Sequence, residues 1–254
     1  MPVLNDLLTL ASDLAWSAAE IILALRARGC ATEARPDRSP ITEADRQSEA
    51  VILRGLRAAT PHIEIIAEEE IASGHLPAHS RDMWLIDPLD GTREFAALRD
   101  SFTVNIGLVR DGRPILGVVA VPACAEMYGG IVGLGAWKQD GAGRHTISVR
   151  PPPVGGLAVL RSRLGAENPA LLAALPDAPV ASLTVVESAL KFCRIAEGSA
   201  DAYVRLGRTM EWDTAAGEAI LSAAGGSLLV LDGGALGYGK PGWVNPPFIC
   251  RGGL

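Results

Sequence analysis

The stretch Trp84-Leu85-Ile86-Asp87-Pro88-Leu89-Asp90-Gly91-Thr92 decides both the fold and the site. Its apolar start predicts a buried strand ending at Asp87, because Pro88 forbids simple continuation of a strand ladder. We expect a turn there that aims the Asp87 and Asp90 carboxylates at one centre, with the Leu89 carbonyl between them. Oxygen ligands of this kind suit hard cations such as Mg²⁺. An Asp-x-x-Asp pair is also typical of a solvated turn, so both interpretations stay open.

Gly91 and Thr92 follow directly and are expected to open a short helix. The first backbone N–H groups of a helix have no partner within it, so such a terminus favours an anion such as phosphate. Burying the two preceding carboxylates side by side is costly without a cation. The stretch therefore indicates a site that could hold both a divalent cation and a phosphate.

Two further acidic segments stand at the ends of predicted elements. Glu68-Glu69-Glu70 follows the apolar pair Ile65-Ile66, so at least one Glu can point back toward the sheet edge. Three consecutive glutamates are more often an exposed charge run. Asp213 stands in Glu211–Gly217 at a predicted helix start, where an ordinary N-cap worth about 1 kcal/mol is the alternative.

Hydrophobic periodicity and turn residues outline the first part of the chain. Helices are predicted over 5–27 and Thr42–Ala59, and Thr42 with Asp45 forms a capping-box pattern. Apolar runs predict strands at Ile63–Ala67, Met83–Asp87, Phe102–Val109, Ile115–Val121 and Met127–Val132, with a hairpin turn at Asp111-Gly112. We expect residues 1–150 to form an α+β lobe, with helices on a mostly antiparallel sheet, that carries most metal ligands.

The proline and glycine run over 151–156 marks a lobe boundary. Beyond it, strands are predicted at Leu157–Leu160, Leu183–Val186, Ala202–Arg205 and Leu228–Leu231, and helices at Pro169–Leu175, Ser188–Glu197 and Thr214–Ala224. Alternation of this kind predicts an α/β lobe over 151–254 that supplies Asp213 and substrate contacts.

Composition excludes several classes of protein. The 254 residues are 48% hydrophobic and carry a net charge of −6, which argues against disorder and against a nucleic-acid polymer as partner. The four cysteines show no Cys-x-x-Cys spacing and are expected to be reduced thiols, and the histidines show no zinc-binding pair. No signal peptide is evident, and no apolar stretch is expected to span a membrane. We therefore expect a cytoplasmic protein.

Four segments, in register along nearly the whole chain, resemble the inositol monophosphatase superfamily of lithium-sensitive, Mg²⁺-dependent phosphatases. They are Ile41–Asp45, Ala67–Glu69, Asp87–Thr92 and Trp212–Gly217. The resemblance implies a layered α/β/α/β/α sandwich of the inositol monophosphatase and fructose-1,6-bisphosphatase type. It also implies two or three Mg²⁺ ions per active site and competition of Li⁺ with one of them.

Within that superfamily the chain looks most like the CysQ-type 3′(2′),5′-bisphosphate nucleotidases. The segments that carry this similarity are Arg93–Phe95, Phe102–Ile106, Leu190–Cys193 and Ala196–Gly198. The similarity implies cleavage of adenosine 3′,5′-bisphosphate, a by-product of sulfate assimilation, to AMP and phosphate. Related nucleotidases have been assigned to the inner face of the bacterial membrane, so peripheral attachment is a further expectation, as is a monomer or homodimer.

Roles carry over from the resemblance to matching positions of this chain. The metal ligands would be Glu68, Asp87, Asp90, Asp213 and the Leu89 carbonyl. The catalytic residues would be Asp45, Thr92 and Glu69, with Thr92 and Asp45 orienting the attacking water. The substrate contacts would be Gly91, Thr92, Arg93, Ser188, Lys191, Arg205 and Asp213, of which Lys191 and Arg205 would hold the non-reacting phosphate.

Two departures from the branch affect the substrate and leave alternatives open. Glu187 and Ala189 replace Gly and Ser of the usual Gly-Ser-Ser-Leu-Lys, and an added acid near a second phosphate would repel it unless it points elsewhere. Val204 stands where Pro is usual, although Arg205 is kept. A phosphatase for a polyol monophosphate such as inositol phosphate is the near alternative. A non-catalytic Mg²⁺- or nucleotide-binding regulator is the distant one.

Overall fold

The computed structural model describes residues 3–35, 39–78, 80–163, 169–175 and 179–253. The helices are α1 (Leu4–Arg28), α2 (Glu43–Ala59), α3 (Glu68–Ala72), α4 (Thr92–Ala96), α5 (Pro169–Ala173), α6 (Leu190–Ala196) and α7 (Ala215–Ala223). Short 3₁₀ turns lie at Pro122–Cys124, Glu211–Asp213 and Pro241–Trp243. The strands up to the lobe boundary are β1 (Thr32–Ala34), β2 (Pro40–Thr42), β3 (Glu64–Ala67), β4 (Asp82–Asp90), β5 (Thr103–Arg110), β6 (Arg113–Val121), β7 (Glu126–Ile131), β8 (Gly135–Asp140) and β9 (Gly143–Ile147). Those beyond it are β10 (Leu157–Arg161), β11 (Val180–Val185), β12 (Ala202–Arg205), β13 (Thr209–Met210), β14 (Ser227–Val230), β15 (Val244–Asn245) and β16 (Phe248–Arg251).

Two main sheets organise the chain. The first runs in the order β3-β4-β5-β6-β7-β8-β9 and is antiparallel except for the parallel pair β3 and β4. The expected mostly antiparallel sheet is therefore confirmed, as is the hairpin between β5 and β6. The second sheet has the order β11-β10-β12-β16-β14, in which β10 is parallel to both of its neighbours. Two short two-stranded ladders, β1 with β2 and β13 with β15, complete the pairing of the described strands.

The layers follow from the alternation of side chains along the strands. On β4, Trp84 and Ile86 face α1 and α2, whereas Met83 and Leu85 face α6 and α7. Helices α6 and α7 also pack on Tyr203 and Phe248 of the second sheet, while Leu171 and Leu175 cover its other side. The order is thus α1/α2, first sheet, α6/α7, second sheet, α5, and the predicted α/β/α/β/α sandwich is confirmed.

One core cluster contains residues from both predicted lobes, so the chain folds around a shared interior. The segment at 151–156 is a turn-containing connection between β9 and β10. The division into lobes at residue 150 stays a prediction.

Helix α1 buries Leu7, Ala11, Ala15, Ala18 and Ile22 against α2 and the sheet, as its periodicity predicts. By length and composition alone this helix is apolar enough to cross a membrane, which differs from the expectation that no stretch qualifies. A core helix passes the same criteria.

The start of α2 confirms the capping box. Thr42 Oγ1 accepts a hydrogen bond from Ala44 N at 3.1 Å, and Asp45 Oδ2 accepts one from Thr42 N at 2.7 Å. The Asp45 side chain is therefore held in place by the backbone at the helix start.

The prediction that the strand ends at Asp87 is wrong. β4 continues to Asp90, pairing Asp87 with Asn105 and Asp90 with Thr103, and a bulge of one residue lies between these two pairs. Pro88 falls within that bulge, where no ladder hydrogen bond is required of it.

Candidate active site

A cavity of about 520 Å³ opens where the end of β4 meets the loops that follow β10 and β12. At one end its lining includes the acids Glu68, Asp90 and Asp213. The lining also includes the cations Arg93, Arg163, Lys191, Arg205 and Arg208, which we call the cationic wall, and it includes Arg35 and Arg99, which form ion pairs with acids. The size and the two-sided charge suit a phosphorylated small molecule.

Asp87 does not line the cavity but lies within electrostatic reach of Glu68, Asp90 and Asp213, and we call these four acids the acidic end. Asp87 continues the face of β4 that Met83 and Leu85 occupy, so it points toward α7, and only 2% of its surface is exposed. Its Oδ1 accepts a hydrogen bond from Leu89 N at 3.0 Å. Burial and then the neighbouring Glu68, Asp90 and Asp213 charges raise the pKa of Asp87 well above its usual range.

Asp90 stands at the end of the bulge and joins the two sheets. Its Oδ2 accepts hydrogen bonds from Ala189 N at 2.7 Å and from Asn105 Nδ2 at 3.4 Å. Burial raises the pKa of Asp90, and the Lys191 ammonium opposes that shift. The Oδ1 of Asn105 has no hydrogen-bond partner in the described residues, so an unpaired buried acceptor lies beside the Asp90 carboxylate.

Asp213 reaches the same place from a distant part of the chain. Burial and then the Asp90 charge raise its pKa well above the usual range, which places it within electrostatic reach of Asp90. It is not the N-cap of α7, as the alternative supposed, because α7 begins at Ala215 and Thr214 precedes it. Instead Asp213 Oδ2 accepts a hydrogen bond from Met210 N at 2.8 Å and closes the 3₁₀ turn.

Glycines in the first sheet allow α7 to approach closely enough to bring Asp213 there. A Cβ at Gly117 would overlap the carbonyl oxygen of Ala216, and one at Gly107 would lie 2.8 Å from Ala216 N. No side chain fits between β5, β6 and the first turn of α7. We call the contact of Gly107 and Gly117 with Ala216 the glycine seam.

Glu68 and Glu69 begin α3, and Arg35 forms an ion pair with each of them. Arg35 Nη1 lies 2.9 Å from Glu68 Oε1, and its Nη2 forms an ion pair with Glu69. Burial raises the pKa of Glu68 to about 7, and Arg35 opposes the shift. Glu69 is not in the lining of the main cavity but lines a neighbouring one, where its backbone N donates to Glu49 Oε2 at 2.8 Å. The catalytic role of Glu69 stays a prediction, and its side chain does not line the main cavity.

The acid set fits a divalent cation by its chemistry. In addition to burial, Glu68, Asp90 and Asp213 raise the pKa of the buried Asp87, and Asp90 and Glu68 raise the pKa of Asp213. Such repulsion between carboxylates is relieved by a metal ion. Over the described ranges, no group of three or more Asp, Glu, His or Cys side chains is placed closely enough to hold a metal ion. The carboxylates act on one another electrostatically without being gathered around a single point.

Thr92 and Asp45 are brought together as the resemblance implied. Thr92 Oγ1 lies 3.0 Å from Asp45 Oδ1 and 3.2 Å from the Leu89 carbonyl oxygen. Burial raises the pKa of Asp45, although Thr42 and Thr92 oppose the shift through hydrogen bonds. Thr92 lines the cavity, so its hydroxyl oxygen can accept a hydrogen bond from a bound water while it donates its own hydrogen bond to Asp45.

Gly91 precedes α4 with a left-handed φ of 94°, which favours glycine, and a Cβ there would lie 3.1 Å from the Ser101 carbonyl oxygen. The expected short helix after Asp90 is therefore confirmed. Both Gly91 and Arg93 line the cavity. Phosphate binding by the Gly91 and Thr92 amides stays a prediction.

Lys191 and Arg205 form the inner part of the cationic wall, and backbone carbonyls hold both. Lys191 Nζ donates to Ser188 O at 2.8 Å and to Val186 O at 3.2 Å. Arg205 donates to Arg208 O, Gly207 O and the hydroxyl of Ser162. The predicted neighbours are thus both at the cavity, and Ser188 lines it with them.

The sequence reasoning missed Arg163 and Arg208. They follow the ends of β10 and β12, which are adjacent parallel strands, so they reach the same wall. In the described part of the chain neither side chain forms an ion pair, although Arg163 is close enough to Glu94 to add to the lowering of its pKa by Arg99. A basic residue just after a strand of the second sheet was the available signal, because carboxyl ends of parallel strands meet at one edge.

The fold and the site together define a member of the α/β/α/β/α sandwich proteins with an acid-lined centre facing a cationic wall. The model of the inositol monophosphatase family matches residues 4–248, and the chain belongs to that family. The predicted family is therefore confirmed.

Known relatives point to one branch. The chain is 41% identical to the 3′(2′),5′-bisphosphate nucleotidase CysQ of Escherichia coli K12, over 84% of this chain and 86% of that protein. It is 34% identical to CysQ of Aggregatibacter actinomycetemcomitans, over 98% and 94%. The crystal structure of CysQ from Bacteroides thetaiotaomicron superposes with a TM-score of 0.81 at 31% identity, covering 98% of each chain.

Proposed function

We propose that this chain is a 3′(2′),5′-bisphosphate nucleotidase that hydrolyses the 3′-phosphate of adenosine 3′,5′-bisphosphate to AMP and phosphate. The observation that carries the proposal is the cavity itself, whose lining combines the acids Asp90 and Asp213 with the cations Lys191 and Arg205. A bisphosphate needs both, because one phosphate reacts and the other only binds. The curated relatives named CysQ support the same reaction.

Mg²⁺ is the proposed cofactor, with two or three ions held by Glu68, Asp87, Asp90, Asp213 and the Leu89 carbonyl. When bound, such ions neutralise charge on phosphoryl oxygens and lower the pKa of a coordinated water. The donor set supports the assignment because it is all oxygen and strongly self-repelling without a cation.

The chain's own residues would position the nucleophile and the substrate. Thr92 Oγ1, held by Asp45, would accept a hydrogen bond from the attacking water and orient it toward phosphorus. Because burial raises the pKa of Asp45, its carboxylate is a better proton acceptor than an exposed aspartate. Lys191 and Arg205 would hold the 5′-phosphate and fix the distance to the acidic end.

The decisive experiment measures phosphate release from adenosine 3′,5′-bisphosphate, 5′-AMP and inositol 1-phosphate with Mg²⁺, each repeated with EDTA and with Li⁺. We expect a strong preference for the bisphosphate, loss of activity in EDTA and inhibition by Li⁺. Preference for inositol phosphate would replace the proposal by the polyol phosphatase. No turnover on any of the three, despite Mg²⁺ binding, would favour the non-catalytic regulator.

We also propose a cytoplasmic location, because Cys30, Cys124, Cys193 and Cys250 are all free thiols. Peripheral membrane attachment and a monomeric or homodimeric state stay predictions. Size-exclusion chromatography with light scattering tests the second.

A further inference from the structure

Glu187 is an acid placed on the wall that is otherwise cationic. It lines the main cavity beside Arg163, Lys191 and Arg205. The other acid on that side, Glu94, is neutralised by its ion pair with Arg99. In the part of the chain that the structure describes, the Glu187 carboxylate has no cationic side chain as ion-pair partner.

A backbone contact fixes the position of this carboxylate. Its Oε1 accepts a hydrogen bond from Arg163 N, which ties the connection before α6 to the end of β10. The neighbouring residue Ser188 has a positive φ of 55° and donates from Oγ to the Glu187 carbonyl at 2.8 Å. The acid therefore stays on the wall and does not turn into solvent.

The Glu187 charge acts on the same cations that face the cavity. Lys191 Nζ binds the carbonyls of Val186 and Ser188, the residues on either side of Glu187. Burial lowers the pKa of Lys191 to about 8, and Asp90 and then Glu187 oppose the shift. Glu187 thus lies near enough to Lys191 to offset part of its attraction for an anion.

We propose that Glu187 is a specificity-determining residue that weakens the hold of the Lys191 and Arg205 wall on the non-reacting phosphate and so speeds release of the nucleotide product. The proposal rests on the nucleotidase function proposed above. A carboxylate several ångströms from a doubly charged phosphate in a wet site costs about three- to tenfold in affinity. The proposal predicts that the cost falls on ligands whose phosphate binds Lys191 and Arg205, and less on a monophosphate held only by the acidic end.

The test compares the wild-type protein with Glu187→Gln, which keeps the hydrogen-bond acceptor for Arg163 N and removes the charge. We expect AMP to bind about three- to tenfold more tightly to the variant by calorimetry, and the KM for adenosine 3′,5′-bisphosphate to fall by a similar factor. The KM for inositol 1-phosphate should stay within twofold of the wild-type value. The advantage of the variant should shrink as salt is raised from about 0.05 to 0.5 M.

Two further variants control for structure. Glu187→Asp keeps the charge and should bind AMP with close to wild-type affinity. If Glu187→Gln fails to fold, Glu187→Ser supplies the uncharged form and is compared with Glu187→Asp. Asp232→Asn removes a carboxylate that also accepts a backbone N–H, from Gly234 at 3.1 Å, but that is absent from the cavity lining, and it should change nothing.

The outcomes separate this inference from the function on which it rests. If wild type hydrolyses the bisphosphate and Glu187→Gln binds AMP no more tightly, Glu187 does not set the affinity and the inference fails alone. Weaker AMP binding by the variant also overturns it, because the carboxylate would then be a direct ligand contact. If wild type does not hydrolyse the bisphosphate, the proposed function fails, whatever the AMP affinities are.

Discussion

The acidic end of the cavity and its cationic wall are built in different ways. Each of the three aspartates accepts a hydrogen bond from a main-chain N–H: those of Leu89, Ala189 and Met210. On the wall, Lys191 and Arg205 are held by carbonyls, whereas Arg93, Arg163 and Arg208 form no ion pair within the described residues. Under the proposed function, the fold would fix the geometry at the reacting phosphate, and the side chains of the wall would set the affinity for the other phosphate.

Asp87→Asn should break the acidic end without breaking the fold. It removes one of four mutually repelling carboxylates at a site only 2% exposed, so we expect activity to fall by at least ~10² while the melting temperature without metal is unchanged or higher. Phosphate release and thermal melting measure the two effects. Asp82→Asn, at the other end of the same strand and paired with Arg110, is the matched control and should retain activity. Near-normal turnover of Asp87→Asn would refute its role as a ligand.

Arg205→Met should break the wall and spare the acidic end. Losing charged hydrogen bonds to a phosphate costs about 1.5–3 kcal/mol, which is roughly a ten- to hundredfold rise in the KM for the bisphosphate. The kcat/KM for inositol 1-phosphate should change much less. Steady-state kinetics on both substrates measure the ratio, and an equal loss on the two would mean that Arg205 serves the reaction centre instead.

Gly117→Ala should loosen the connection that brings Asp213 to the acidic end. The added Cβ would overlap the Ala216 carbonyl oxygen, so α7 must shift, and we expect a loss of about 1–3 kcal/mol in the free energy of unfolding. Urea denaturation measures it. Gly141→Ala is the control, since a Cβ there meets nothing within 4 Å. Equal stability of the two variants would show that the glycine seam is not closely packed.

Added salt should produce the smallest effect and needs no variant. Raising ionic strength from about 0.05 to 0.5 M should increase the KM for the bisphosphate a few-fold, because salt screens the attraction between the cationic wall and the incoming phosphates. It should leave kcat nearly unchanged, because kcat refers to substrate that is already bound. Initial rates over a salt series test this. A fall in kcat with constant KM would contradict the division between the two regions.

The three aspartates of the acidic end could be singled out from the sequence because they lie in compact motifs, although their role as metal ligands stays a prediction. Asp87 and Asp90 follow an apolar run and Asp213 lies shortly before α7, and such patterns depend on neighbours in sequence. The bulge at Pro88 was not predictable from the sequence, because the strand continues beyond it only through the pairing of Asp90 with Thr103 on the neighbouring strand. Side-chain periodicity carries no information about such a register shift.

The cationic wall was harder to predict, because no feature of the neighbouring sequence distinguishes its arginines and its lysine from basic residues on the protein surface. Arg163 and Arg208 became candidates only when the pairing of β10 with β12 placed them at one edge. Strands β8 and β16 were also missed: β8 is polar and half-exposed, and β16 is short. The two glycines of the glycine seam can be read from the sequence, but their contact with Ala216 depends on the tertiary structure.

The hydrogen bond from Ala189 N to Asp90 Oδ2 has a thermodynamic consequence. Ala189 lies between Glu187 and Lys191 in the segment that supports the wall, and Asp90 is the proposed cation ligand. If Asp90 holds the cation as proposed, a change in how it shares its oxygens would act on the segment that carries Lys191. Cation and nucleotide affinities are then reciprocal: whichever ligand strengthens this contact helps the other to bind by the same factor.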